Sequence, residues 1–309
     1  MKSRLTWNAL LLIAAMAAGC ATKKSRTAEQ YFTDANENFR AGALPVAIES
    51  YHELLDQYPF SEYSEEAELK IAHAHYLNGN YAEAIVALTD FQRRHPTSSH
   101  LPFVGYYLGM CYAQQMRTID RDQTAAQNAQ IYFQTVSREY PDSPFAELAR
   151  EELARCRENL GEHELYVANF YAHYGNDKAE EIRLLTLASL YGETEASRKG
   201  LLQLANLYKR TQRDDEAALA YAALAQLHPD QAKVAQHGME QLALADPPST
   251  RDPVDMLLAA NGRQRTTGTF EPVKVPGLEP GRPTRSAVPP VGFGQQGGTN
   301  PFGRGRYGY

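Results

Sequence analysis

The sequence predicts an all-α fold of about five helical hairpins stacked in series, and three observations carry that prediction. Apolar residues over 28–244 recur at helical spacing, and no stretch there alternates with period two. The ends of the apolar runs repeat: Gln57-Tyr58-Pro59, Arg94-His95-Pro96, Glu139-Tyr140-Pro141 and Leu227-His228-Pro229 each place an aromatic ring or imidazole and then a proline. The intervals repeat too. Pro59 and Pro96 are 37 residues apart, Gly192 (in Leu190-Tyr191-Gly192) and Pro229 are again 37 apart, and the 45 residues from Pro96 to Pro141 contain eight extra.

The elements follow in chain order. Lys2 and Arg4 precede an apolar run, Leu5 to Ala18, that is too short for the roughly 20 residues a membrane span needs. It reads as a secretory signal over 1–19. Its end, Ala17-Ala18-Gly19-Cys20, resembles the lipobox of bacterial lipoproteins, which implies that Cys20 is lipidated and opens the mature chain. Residue 21 is Ala rather than the Asp that resembles an inner-membrane retention signal, so the outer membrane is expected. A single acyl chain holds a protein only marginally and each buried CH₂ adds about 0.8 kcal/mol. The three chains implied by the lipobox would anchor it firmly, with 20–27 as a short lipidated tether.

Thr27-Ala28-Glu29-Gln30 has the form of a capping box at the first helix. Small residues then recur where antiparallel helices touch: Ala35, Gly42 and Ala47 in unit one; Ala72, Gly79 and Ala84 in unit two; Gly109 and Ala129 in unit three, with the extra residues between its helices; Ala168, Gly175 and Ala179 in unit four; Ala205 and Ala217 in unit five, without a turn glycine. This pattern resembles the tetratricopeptide repeat, and the solenoid is expected over 28–244. Ser143-Pro144 supplies a cap and an N1 proline, so 142–160 is expected as one additional helical segment before unit four. The 37-residue spacing puts Phe32, Asn36 and Phe39, then His73 and Tyr76, then Phe103, Tyr106 and Met110 on the first helices, which line the concave face in repeats of this kind. An aromatic groove with a few polar handles suits an extended peptide bearing aromatic side chains.

From residue 245 the composition changes. Residues 245–309 hold 11 of the 21 glycines and 10 of the 17 prolines and read as a disordered tail. One short helix is expected within it, with Asp252 as cap and Pro253 at N1. Gly292-Phe293-Gly294-Gln295-Gln296-Gly297 has the letters of a dinucleotide fingerprint but lacks the strand and helix that give those letters meaning.

Charge excludes further classes. The whole chain carries −6, residues 20–244 carry 21 basic against 32 acidic residues, and nothing here draws nucleic acid. Three cysteines are too few for a disulfide framework; Cys111 and Cys156 read as buried thiols, with pairing between them open. His73 and His75 do not share a helical face, His163-Glu164 lacks its second histidine at Val167, and Asp120 and Asp122 are a weak calcium signal. No metal, no cofactor and no enzymatic activity is expected.

Six motifs remain: Tyr58-Pro59-Phe60-Ser61, His95-Pro96-Thr97, Tyr106-Tyr107-Leu108-Gly109, Asp120-Arg121-Asp122-Gln123-Thr124, Arg138-Glu139-Tyr140-Pro141 and Glu162-His163-Glu164-Leu165-Tyr166-Val167-Ala168. Together with the lipobox and the repeats, they make the chain similar to the BamD family of outer-membrane assembly lipoproteins. Generic repeat proteins share the Ala and Pro spacing but not the 120–124 loop or the 162–168 helix. The resemblance implies a non-catalytic adaptor on the periplasmic face of the outer membrane. Its implied partners are a BamA-like barrel insertase, other lipoproteins of the assembly machine and C-terminal segments of unfolded barrel proteins. It also implies that Arg183, spaced from Gly175 and Ala179 as in the family, faces the insertase, with Glu180 as the competing local partner. The competing assignments are a repeat lipoprotein of pilus or secretin assembly and an accessory subunit of a peptidoglycan-processing complex.

Overall fold

The computed structural model describes residues 26–242 and 252–265. The signal, Cys20 and most of the tether lie outside the described residues, as does the tail beyond 265. The described residues form twelve α-helices and one short 3-10 turn, Pro229–Gln231, with no strand among them.

Unit one is α1 (Ala28–Arg40) and α2 (Leu44–Gln57), and unit two is α3 (Ser64–Leu77) and α4 (Tyr81–Arg94). Unit three is α5 (Leu101–Ala113) and α6 (Thr124–Glu139), and unit four is α7 (Pro144–His173) and α8 (Asp177–Leu190). Unit five is α9 (Glu195–Arg210) and α10 (Asp214–Leu227), followed by α11 (Ala232–Glu240) and α12 (Pro253–Ala260). Up to α11 each helix packs on the next one in sequence, and α3 on α5, α5 on α7 and α7 on α9 add contacts between first helices. That serial pattern is the tetratricopeptide-type solenoid the repeats predict.

The sequence signals act where they stand. The Thr27 side chain accepts from Gln30 N while Gln30 Oε1 accepts from Thr27 N, closing the capping box. Ser143 Oγ accepts from Phe145 N at 3.2 Å ahead of Pro144. Tyr58, His95, Tyr140 and His228 each sit at the C-cap, and the proline after them prevents continuation. Within the hairpins of units one, two and four, Gly42, Gly79 and Gly175 take φ of +76°, +77° and +68°, the left-handed conformation that glycine adopts without a Cβ clash. Unit five makes the same turn with Gln212 at φ +58°. Gly109 serves differently: a Cβ there would stand 2.6–2.9 Å from the Phe133 ring, so only glycine lets α5 and α6 close.

Two features differ from the sequence reading. The segment 142–160 is not a separate element. It runs into the first helix of unit four as one 30-residue helix, α7, whose N-terminal half packs on α6 and whose C-terminal half packs on α8. Gly161, the one weak helix former between them, is buried against Thr194 and Ala196 and gives no break. The short helix expected in the tail does form, with Asp252 Oδ1 accepting from Val254 N and Asp255 N. It belongs to the body, because Val254, Leu257 and Leu258 are buried in the same core as Leu184, Leu204 and Leu224.

Candidate functional site

The first helices of units one to three present an aromatic band. On α5 the residues Phe103, Tyr106, Tyr107 and Met110 follow the i, i+3, i+4, i+7 spacing of one helical face. On α3, His73 and Tyr76 do the same, and Phe39 closes α1. Stacking brings these rings together. His73 lies 5.6 Å from Phe39, 5.4 Å from Phe103 and 4.7 Å from Tyr107, centroid to centroid. Tyr76 meets Tyr107 at 5.0 Å, and Tyr106 meets Tyr107 at 5.3 Å. Phe145, in the first turn of α7, extends the band to Phe103 and Tyr106 at 5.6 and 5.5 Å. Each such pair contributes about 0.5–1.5 kcal/mol beyond area burial.

The eight residues read from the sequence therefore divide. Phe39, Tyr76, Phe103 and Tyr106 keep part of their surface in solvent, while His73 and Met110 form the floor. Phe32 and Asn36 belong to another cluster: Phe32 stacks on Tyr63 at 4.9 Å, and Tyr51 donates its hydroxyl proton to Asn36 Oδ1 at 2.8 Å. Tyr107 and Phe145 escaped the sequence reading. Tyr107 stands at i+4 from Phe103, a signal that was available; Phe145 joins only through the packing of α7.

Burial, with a smaller contribution from the Lys70 charge, lowers the His73 imidazole to about 4, so the ring at the centre of the band is neutral at ordinary pH. Lys70 lies 5.1 Å over the Phe39 ring, and burial lowers its pKa as well.

A second set of residues centres on α7. His163 Nδ1 lies 2.6 Å from the Ile119 carbonyl oxygen, tying the 162–168 helix to the 120–124 loop. Gln123 Nε2 holds that loop by donating to Thr118 O and Arg121 O at 3.0 and 2.9 Å. One residue along α7, Glu164 accepts from Arg183 Nη1 at 3.2 Å. The guanidinium side chain keeps 38% of its surface exposed, so it is oriented from behind and open in front. Glu180, the competing partner in the sequence reading, is taken elsewhere: it is fully buried and receives Arg210 Nη2 at 2.7 Å and Gln203 Nε2 at 2.8 Å.

Cys111 and Cys156 are buried free thiols, not paired with each other, and burial pushes each up to about 12. Among the described residues no three His, Cys, Asp or Glu side chains converge as a metal site, and no helix is long and apolar enough to cross a membrane. Cys20 lies outside the described residues.

Comparison with known proteins places this geometry in context. The family model described as "YfiO: Outer membrane lipoprotein" matches residues 24–224. The chain is 28% identical to outer membrane protein assembly factor BamD of Caulobacter vibrioides over 179 residues, covering 55% of this chain and 59% of that protein. It is 30% identical to the Vibrio cholerae protein of the same name over 152 residues, covering 46% and 63%. The chain thus spans less than two thirds of the length of these curated relatives. A thermophilic TPR protein of Thermus thermophilus overlaps with a TM-score of 0.32 at 18% identity, over 69% of this chain and 98% of that one.

Proposed function

Because the chain belongs to the YfiO outer membrane lipoprotein family, which its BamD relatives identify with outer membrane protein assembly, we propose that it is a non-catalytic adaptor of that process. Lipid on Cys20 anchors it to the periplasmic face of the outer membrane, with 1–19 removed, 20–27 as tether and the residues beyond the body as a tail. Units one to three receive the C-terminal segment of an unfolded barrel protein along the aromatic band. Units four and five dock the BamA-like insertase, and other assembly lipoproteins join the complex.

The observation that carries this reading is the arrangement around α7. The two motifs that set this family apart from generic repeats are joined by the His163–Ile119 contact, and the same helix aims Arg183 through Glu164. An ion held on one side and open on the other is pre-organised for a carboxylate on a partner, since less side-chain freedom is lost on docking.

The test is recovery of the insertase with the mature chain from its own membranes in mild detergent. Arg183→Glu and Arg183→Gln both lose it while circular dichroism stays unchanged; full recovery with both variants overturns the assignment. For the groove, Tyr76→Ala with Tyr106→Ala weakens binding of a barrel C-terminal peptide by about tenfold or more. Equal affinity removes that site.

A further inference from the structure

The groove between the second helices of units four and five is filled from within. α12 lies against α8 and α10 and buries Val254, Leu257 and Leu258. Its C-cap residue Asn261 donates to the Tyr208 hydroxyl at 3.1 Å and accepts from Arg213 Nη2 at 3.3 Å. The fold therefore demonstrates what this groove accepts: a short amphipathic helix with apolar residues at i, i+3 and i+4.

Units one and two repeat the groove without the helix. The register is fixed by the left-handed turns, since Gly42 and Gly175 are 133 residues apart and so are Gly79 and Gln212. On that register Leu55, Ile71, His75 and Val86 hold the positions of Ala188, Leu204, Tyr208 and Leu219. The first four line an open cleft of about 500 Å³ between α2 and α4, floored by α3. Leu219 is 8% exposed beneath α12, whereas Val86 is 64% exposed. That contrast at one repeat position measures the missing cover.

Charge selects the occupant. The cleft is lined by Glu68, Glu83 and Asp90 against Arg94; Glu68 is engaged by Arg94 and His95 and Asp90 by Arg93, which leaves Glu83 as the lining carboxylate outside those pairs. α2 adds the exposed Glu49, Glu53 and Asp56. A second copy's α12 is a poor match, because it would bring Asp252 and Asp255 to a carboxylate rim. We propose that the α2/α4 cleft docks a short amphipathic helix of a partner protein, with an i, i+3, i+4 apolar face flanked by Lys and Arg. The site lies between the second helices α2 and α4 over one face of α3, and its lining includes neither a residue of the aromatic band nor Arg183. It stands whether or not the assembly role does.

The probe is a labelled peptide of residues 252–265 carrying Asp255→Lys and Ala259→Lys, both at exposed positions of α12. Its fluorescence anisotropy is titrated with the full mature chain in detergent, beside the unmodified peptide. Saturable binding of the basic peptide is expected, weakened about tenfold or more by Val86→Asp and unchanged by Val234→Asp, an exposed valine on α11. Both substitutions are at exposed positions, so helix content by circular dichroism should match the parent. The proposal is overturned if the basic peptide does not saturate, or if Val86→Asp leaves its affinity unmoved. It is also overturned if the unmodified peptide binds as tightly and depends equally on Val86, which would assign the cleft to a second copy's α12.

Discussion

From α1 to the start of α7 rings link the first helices, whereas from α7 to α10 ion pairs to buried carboxylates are set into an aliphatic core. In the first region Phe39, His73, Tyr107, Tyr106 and Phe145 form a chain of ring contacts across four successive first helices. In the second, Glu180 receives Arg210 and Gln203, and Glu181 receives Arg213 at 2.7 Å, all across helix boundaries. Rings leave edges and faces available to further apolar groups, so the first region coheres and still offers a surface. A buried carboxylate tolerates one arrangement of donors, so the second region is fixed in geometry. One repeat thus yields a receiving half and a rigid half.

The sharpest way to break the ring-held half is Phe133→Ala, which empties the space that Gly109 exists to admit. A loss of about 3–5 kcal/mol in chemical unfolding is expected. Arg210→Ala tests the other half by stranding Glu180, and about 3 kcal/mol should be lost. Arg210→Lys keeps the charge on a side chain one atom shorter than the one whose Nη2 reaches both Asp177 and Glu180, so it should recover only part of the loss. If the Arg210 variants unfold at the parent denaturant midpoint, the ion pairs are not what fixes units four and five.

Acid separates the halves more gently. The unfolded His73 imidazole takes up a proton near pH 6.5 and the folded one only near 4, so the unfolded state binds more protons between those values. Stability is complete above about pH 6.5 and falls as pH drops toward 4, by on the order of 3 kcal/mol. His73→Leu should flatten that part of the pH dependence, read as the difference in midpoint between neutral and mildly acid buffer. Hydrogen exchange should show α3 and α5 losing protection in acid before α8 and α10 do.

Much of this was legible in the residues. The Tyr-Pro and His-Pro ends, the capping box and most of the small residues at helix contacts are local chemistry and stand where they were read; the exception is Ala179, which is only half-buried, because the register of Ala47 and Ala84 falls on its neighbour Glu180 in unit four. The fusion of 144–173 was not legible, because nothing local argues for a break or against one at Gly161; the continuous helix is selected by α6 and α8 packing along its length. The local contact of Arg183 was not legible for a similar reason. Glu180 is its neighbour in sequence, but the turn at Gly175 brings Glu164 beside it and points Glu180 at α9. The apolar face of α12 was readable as a helix, while its docking on α8 and α10 depends on residues some 30 to 75 positions earlier. The aromatic band was half visible: spacing named its residues, and stacking decided which of them remain open.

Cys111 and Cys156 sit in the core that joins units two, three and four, with their thiols held protonated far above neutrality. A protonated sulfur shielded from solvent does not react with alkylating reagents. Modification therefore waits on a transient separation of α5, α6 and α7, and its rate becomes a stopwatch for that event. No introduced probe is required: the chain carries its own pair of timers at the seam between its two halves, and a bound substrate or insertase that tightens the seam would slow them both.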